Sequence, residues 1–596
     1  MSYTPAPALP TGLRERPLLM SVSGSVPRAT RTCHPDAVVS EYLDRGWWQE
    51  DTLPGLFASW VQRRPAETAT TDPVNLADLT GALPMSMTWQ ELDEFVRRVA
   101  AVFHARGIGQ DDIVAVQIPN SIALVATYLA LWHLGAVATP MPASYRGHEL
   151  SGIVDACSAV AVVTVGRLGD RSLATEASGL LSGHPSLRTV FAFGPDVPDD
   201  AVEIDTAAVP VSDVEEAETY TAALVHTVND RVTICWTSGT EAAPKGVPRC
   251  HADWLAVGRG VQDGLETTDD SVLVNPFPLV NMAGFAAALL PWLLGGGHLV
   301  HHHPLDIAVY LGQIQHHRAT HTTMPPAILT MLLQNDVLRE KFDLSSLERV
   351  GAGGAPLPPS VVAAWQNDHG VEVINFFGSN EGVCLLGAPG DMPDPTIRAQ
   401  HLPNYAAPDH SWVVRLSRST SVRLIDPVTG ALVDTVGGRG ELRLKGPTVF
   451  GGYLEGTATS SPFDEDGYLC SGDVFELCGE HGEYLRFVDR IKEIIIRGGM
   501  NIAPAEIEGL LQDHPAVAEV AIVGIPDEVL GEKCCAVVVP AADATPTLDD
   551  LTAHLRARDI ASFKLPERIE LVDTLPRNAV GKLLRRHIRT DLLESL

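Results

Sequence analysis

The sequence predicts an α/β multidomain protein: a large N-terminal domain of two α/β subdomains plus a small β-barrel-like subdomain, followed by a small mobile α+β C-terminal domain. Three observations carry this expectation. The chain has 596 residues, more than one hydrophobic core accommodates. From Thr88 onward, apolar strand-like runs alternate with amphipathic helical patterns, the mark of βαβ units on a largely parallel sheet. Beyond residue 400 the texture changes to short strands with Gly turns, and the last hundred residues form a compact α+β pattern.

Taken in order, residues 1–35 are rich in Pro, Ser and Arg and predict a disordered tail. Two helical pieces follow between Ala37 and Pro65, with Trp47 and Trp48 as packing anchors. The alternation then predicts helix Trp89–Arg106, strand Ile113–Gln117, helix Ile122–Leu134, strand Ala136–Pro140, helix Arg146–Ala156 and strand Ala159–Val165. A second block predicts strand Val272–Asn275, helix Met282–Leu294 ending at Gly295, strand Leu299–His301 and helices at Asp306–His316 and Pro325–Asn335. Strands Ser421–Ile425 and Gly440–Lys445 open the β-rich subdomain, about 400–489. A hairpin-like pair, Tyr484–Val488 and Glu493–Arg497, flanks the polar junction Asp489-Arg490-Ile491-Lys492, where a hinge divides a large domain (36–489) from a small lid (490–596).

Composition excludes several functions. Forty-three Lys and Arg against 74 Asp and Glu give a formal net charge of −31, which repels a phosphate backbone, so no nucleic-acid partner is expected. Nine cysteines without CxxC spacing disfavour a disulfide framework or a zinc site. The patch His298, His301, His302 and His303 predicts a solvated loop in preference to a metal site. No run approaches the ~20 apolar residues of a membrane span, so the expectation is no membrane span and a cytoplasmic location.

The most informative stretch is Trp236 to His251, WTSGTEAAPKGVPRCH, which follows the apolar run Val232–Trp236. Small residues let backbone N–H groups approach an anion, hydroxyls add donors and a Lys adds a compact charge, so polyphosphate is the natural guest. A Walker A loop needs Gly before its Lys and Ser or Thr after it; Pro244 and Gly246 occupy those places. Further glycine-rich and acidic runs follow: Gly351 to Leu357, Asn375 to Glu381, Gly440-Glu441-Leu442 with Gly451-Gly452-Tyr453, Ser471-Gly472-Asp473 after Tyr468, Arg497 to Ile502, and Pro576 to Lys582.

In order and spacing these signatures, spanning residues 236 to 582, resemble those of the adenylate-forming superfamily of acyl-CoA synthetases, aryl-acid ligases, luciferases and peptide-synthetase adenylation domains. The resemblance implies an acyl-CoA synthetase that uses ATP (released as AMP), Mg2+ and coenzyme A. It assigns Thr237, Ser238, Gly239, Thr240 and Lys245 to the phosphates, Gly354, Ala355 and Pro356 to adenine, and Asp473 and Arg490 to ribose, with Phe377 and Gly378 alongside the nucleotide. Glu381, with Thr240, is the implied magnesium ligand, and Asn380 stands at the α-phosphate. Gly498 and Gly499 match the loop that enters the active site after domain rotation, and Lys582 the lysine bridging carboxylate and α-phosphate. The Gly451-Gly452-Tyr453 run is assigned strand-turning glycines and little chemistry.

The chain departs from the pattern at Glu241 and Ala242, where Thr-Gly is common, at Phe377 and Asn380, where Tyr and Thr are usual, and at Asn281, where a His or aromatic gates the acid pocket. These changes cluster at phosphates and carboxylate, so weakened adenylation, with the chain mainly converting an acyl-adenylate supplied by a separate adenylating enzyme, is one alternative. Loading onto a carrier protein and nucleotide binding without catalysis are others. The pocket positions Asn281, Met282, Phe285, Met324, Gly353, Phe376 and Val383 are mostly apolar and predict a bulky hydrophobic, aromatic or alicyclic acid.

Overall fold

The computed structural model describes residues 31–595 apart from 238–243, 409, 492, 498–499, 528–529, 559, 561 and 578–582. The first α/β block forms a seven-stranded sheet whose strands run Val202–Glu203, Thr189–Phe193, Ala161–Val165, Ile113–Gln117, Val137–Pro140, Arg231–Trp236 and Gly246–Cys250 from edge to edge. All neighbours are parallel except the last pair, in which Trp236 lies opposite Gly246. The nucleotide-loop stretch therefore connects the C-terminal end of one strand to the start of its antiparallel neighbour. Helix Trp89–His104 is set by its sequence: a capping box at Thr88 and Glu91 starts it, and Leu92, Val96, Val99 and Phe103 bury one face.

The second block is an eight-stranded sheet with Arg349–Gly353 and Glu372–Gly378 near one edge and Val272–Asn275, His298–His301 and Thr68–Thr71 toward the other. The histidine patch is not a loop. His298–His301 is an inner strand paired in parallel on both sides, and His301 and His302 are fully buried. Polar partners replace the water expected there: Thr71 Oγ1 lies 2.8 Å from His298 Nε2, Thr70 Oγ1 3.0 Å from His301 Nε2, and Gln313 Oε1 2.7 Å from His302 Nδ1. Burial holds His298 near pKa 4 and His301 near 3, so both are neutral. The expected helix Met282–Leu294 forms in three parts, with a π-helical turn at Phe285–Leu289 between α-helical ends.

The β-rich region is a five-stranded antiparallel sheet, ordered Leu402–Pro403, Tyr484–Arg490, Leu469–Cys478, Arg439–Lys445 and Ser421–Ile425. The expected hairpin across residues 489–492 does not form. Tyr484–Arg490 pairs with Leu469–Cys478, whereas Ile495–Arg497 pairs with Met500–Ile502 and Gly531–Pro540 in a separate C-terminal sheet. The polar junction separates two sheets because each flanking strand pairs with a neighbour on its own side, Leu469–Cys478 before it and Met500–Ile502 after it. Arg31–Pro35, grouped with the tail by composition, are held down: Arg31 Nη2 lies 2.9 Å from Asp230 Oδ2, Cys33 N donates to Asn229 O at 3.2 Å, and His34 is buried. Trp48 is the expected anchor, its indole donating to Pro447 O at 3.1 Å.

Candidate active site

Two strand ends and the start of a helix meet at one point. Asn380 lies just beyond strand Glu372–Gly378; its Oδ1 accepts from Met282 N at 2.8 Å and its Nδ2 donates to Trp236 O at 3.2 Å. One carboxamide thus ties the end of the nucleotide-loop strand to the first turn of the acid-pocket helix. Arg249, fully buried, donates to Asn380 O and Thr448 O, each at 2.9 Å, and fixes the same turn from behind. Nothing in the sequence singles out Arg249, since its task is to satisfy carbonyls that only the tertiary fold brings together.

Lys245 begins the returning strand. Its carbonyl accepts from Thr237 N at 3.1 Å and its N–H donates to Thr237 Oγ1 at 3.4 Å, closing the base of the loop. Ser238, Gly239, Thr240, Glu241 and Ala242 lie outside the described residues, as do Gly498, Gly499 and Lys582. Glu381 is half-buried, and its Oε1 accepts from Tyr453 Oη at 2.9 Å. Lys245 Nζ sits 5.1 Å from the centre of the same Tyr453 ring. The two charged groups assigned to phosphate and metal therefore converge on one phenol, a residue that sequence reasoning had treated as structural.

The residues expected at adenine and ribose are also described. Gly354, Ala355 and Pro356 are exposed, and Gly354 has φ +78° with nothing within 4 Å of a Cβ placed there. That bare ledge of backbone suits a flat ring. Asp473 is buried and its Oδ1 lies 3.0 Å from Arg490 Nε, the two facing each other across neighbouring strands. Phe377 is half-buried against the β-rich core: its ring meets Phe475 edge-on at 5.0 Å and Phe487 at 5.5 Å. The missing hydroxyl of Phe377 is thus a change at the edge of that core, on a half-buried ring held by two other aromatics.

Around the acid pocket, Asn281 caps its own helix, its Oδ1 accepting from Ala283 N at 3.1 Å and Gly284 N at 3.4 Å. Met282 approaches Gly378, whose added Cβ would lie 3.6 Å from Met282 Cγ. Phe376 is half-buried, and its carbonyl would stand 2.4 Å from a Cβ at Gly353, so that position admits no side chain. Val383 is buried at the turn beyond Glu381. Phe285 and Met324 are fully buried core residues; Phe285 stacks on Trp254 at 4.9 Å. None of these pocket residues carries a charge.

Of the residues expected at a nucleotide site, the structure thus describes an exposed backbone ledge at Gly354–Pro356, the Asp473–Arg490 pair, Lys245 and Glu381, whose carboxylate oxygens are of the hard kind a divalent cation takes. The model of the AMP-binding enzyme family matches residues 57–454, and that of the AMP-binding enzyme C-terminal domain matches 506–582. The chain belongs to this family, the adenylate-forming superfamily, and is of the AMP-forming acid–CoA ligase type. It is similar to the medium-chain fatty-acid–CoA ligase of Escherichia coli, at 28% identity over 93% of each chain. It is also similar to 3-[(3aS,4S,7aS)-7a-methyl-1,5-dioxo-octahydro-1H-inden-4-yl]propanoyl:CoA ligase of Mycobacterium tuberculosis, at 31% identity over 84% of this chain and 93% of that one. Among solved structures, the anthranilate CoA ligase AuaEII in complex with anthranoyl-AMP shares the fold with a TM-score of 0.75, 20% identity, and coverage of 92% of this chain and 98% of that one.

Proposed function

We propose that this chain joins a hydrophobic carboxylic acid to coenzyme A in two steps, consuming ATP and releasing pyrophosphate and then AMP. The observation that carries the reading is the meeting of Lys245, Glu381 and Asn380 where the nucleotide-loop strand and the acid-pocket helix end. A carboxylate is a poor electrophile, so its oxygen first attacks the α-phosphorus and pyrophosphate leaves. The coenzyme A thiol then attacks the acyl carbon of the mixed anhydride and AMP leaves. In the first step Lys245 offsets phosphate charge, and Lys582 serves the developing charge between carboxylate and α-phosphate. Asp473 and Arg490 hold the ribose, and the Gly354–Pro356 ledge holds adenine. Magnesium, held by Glu381 with Thr240, supplies charge neutralisation at the phosphates. Gly498 and Gly499 pass beside the pantetheine in the second step.

The apolar character of Met282, Val383 and Phe376 supports an uncharged acid body, and no residue of that set recognises an amine or second carboxylate. The similar proteins bear the names of fatty, alicyclic and aromatic acids, which supports hydrophobic acids as the class to screen. A second reading has its own observation. The Asn380 carboxamide is engaged at both ends, Oδ1 by Met282 N and one Nδ2 hydrogen by Trp236 O, so a single N–H held in a fixed direction is what this side chain can offer the α-phosphate, where a Thr hydroxyl could rotate to suit. On that reading adenylation is weak, a separate enzyme supplies the acyl-adenylate, and a carrier protein is a further candidate acceptor. Acid-dependent ATP–pyrophosphate exchange, compared with thioester formation from synthetic acyl-adenylates and coenzyme A, separates the readings. Brisk exchange with at least one hydrophobic acid is the expected result; exchange absent across the panel while acyl-adenylates are consumed would establish the second.

A further inference from the structure

The run Phe450 to Thr457, whose glycines and tyrosine have no chemical role in the reading above, forms a strap under the phosphate end of the site. Phe450 N donates to Glu381 O at 3.0 Å, and Leu454 N donates to Gly246 O at 2.8 Å. Gly246 N donates to Thr457 Oγ1 at 3.2 Å, and that hydroxyl donates to Leu454 O at 2.7 Å. The strap is thus bonded at one end to the residue expected to hold the metal and at the other to the residue immediately after the loop lysine. It is close-packed there as well: a Cβ on Gly246 would come within 3.0 Å of Leu454 Cβ.

Between these two anchors stands Tyr453. Its hydroxyl donates to Glu381 Oε1 at 2.9 Å, and its ring lies beneath Lys245 Nζ. A phenol donating to a carboxylate makes a charge-assisted bond that fixes the carboxylate's rotation and leaves the second oxygen for another partner. The same donation enriches the ring face, which favours the ammonium above it. One side chain therefore touches both an anion and a cation, Glu381 through its hydroxyl and Lys245 through its ring.

We propose that Tyr453 is a positioning residue for the metal and phosphate end of the adenylation site: through its hydroxyl it orients Glu381 toward a divalent cation, and through its ring it stations Lys245 beside the same phosphates. This rests on the reading of Glu381 as the metal carboxylate given above. Removing the hydroxyl alone, in Tyr453→Phe, keeps the ring under Lys245 and the strap's backbone bonds, so its effect isolates the Glu381 contact.

The test uses the full chain. Mn2+ binding to the enzyme saturated with α,β-methylene-ATP is followed by electron paramagnetic resonance, alongside the Mg2+ dependence of pyrophosphate exchange and thioester formation from a synthetic acyl-adenylate. Tyr453→Phe is expected to weaken Mn2+ binding about tenfold, the worth of one hydrogen bond to a charged group. The Mg2+ concentration for half-maximal exchange rises in step, while thioester formation, which involves no pyrophosphate, stays within about twofold. Unchanged Mn2+ affinity overturns the proposal, and so does an equal fall in both half-reactions, which would make the hydroxyl a scaffold group only. Wild-type enzyme without exchange, in which Mn2+ binding still depends on the hydroxyl, sinks the adenylation reading and leaves this one standing.

Discussion

The carboxamide of Asn380 spends both of its ends on backbone, and that shows how the site is built at the scale of single residues: side chains facing the ligand region also hold the strand ends that create it. Gly382, directly after Glu381, has φ +105°, and a Cβ there would stand 2.0 Å from Thr448 O. Gly382→Ala must therefore shift the turn that aims Glu381, and we expect a loss of more than ~2 kcal/mol in denaturant unfolding together with loss of pyrophosphate exchange. Phe377 is the contrary case. Its ring is embedded against Phe475 and Phe487, so Phe377→Tyr, although it restores the residue common in the family, is expected to leave exchange within about twofold. A large gain in exchange would show that the hydroxyl reaches the nucleotide.

At the scale of elements, the junction between the β-rich sheet and the C-terminal sheet is held by Asp489. Its Oδ2 accepts from Ala505 N at 3.0 Å, in the first turn of helix Pro504–Leu511, and its Oδ1 accepts from Arg490 N at 2.8 Å. Burial raises its pKa, and these donors oppose the shift. The carboxylate acts as a cap supplied from another sheet, and Asp489→Ala is expected to cost about 1 kcal/mol. A thermal melt of wild type and variant at one pH checks this. The junction was legible as a polar run between two apolar ones. The partners of its flanking strands were not, because each strand pairs away from the junction: Tyr484–Arg490 back onto Leu469–Cys478, and Ile495–Arg497 forward onto Met500–Ile502 and, at Arg497, onto Gly531. The strand His298–His301 was half legible for a similar reason. Imidazoles in sequence suggest water, and only Thr70 and Thr71, more than 200 residues earlier, make a dry location affordable.

For the molecule as a whole, buried neutral histidines dominate the response to mild acid. Burial lowers His251 and His301 to about 3, and His298 and His303 to about 4. His251 has a stated task, its Nδ1 accepting from Leu53 N at 3.1 Å, which the charged ring cannot do. Because the folded-state values lie below that of an exposed histidine, the unfolded chain takes up protons first as pH falls below about 6.5. The stability these groups contribute is complete above that value and declines toward pH 4. Asp72, raised to about 6 by burial, acts in the opposite sense, as do Asp489 and other carboxylates that burial raises, but the histidines that burial lowers, His133, His226, His302 and His321 among them, outnumber these carboxylates. The midpoint of thermal unfolding is expected to fall by several degrees between pH 7.5 and 5.5; a flat profile would mean that these rings are hydrated.

The sequence by itself determined the α/β alternation, the order of the nucleotide-binding signatures and most element positions, since these depend on local periodicity and on residues whose chemistry is fixed by type. Strands Ile113–Gln117, Val272–Asn275 and Ser421–Ile425 lie where periodicity puts them. The tertiary structure decided what long-range contact decides. It packed Phe377 against the β-rich core, engaged Asn380 with two backbone partners, buried the histidine strand, and brought Tyr453 beneath Lys245 and against Glu381. A hydrogen bond between residues 72 positions apart leaves no mark in local pattern, because its free energy depends on a distance that only the assembled sheets set.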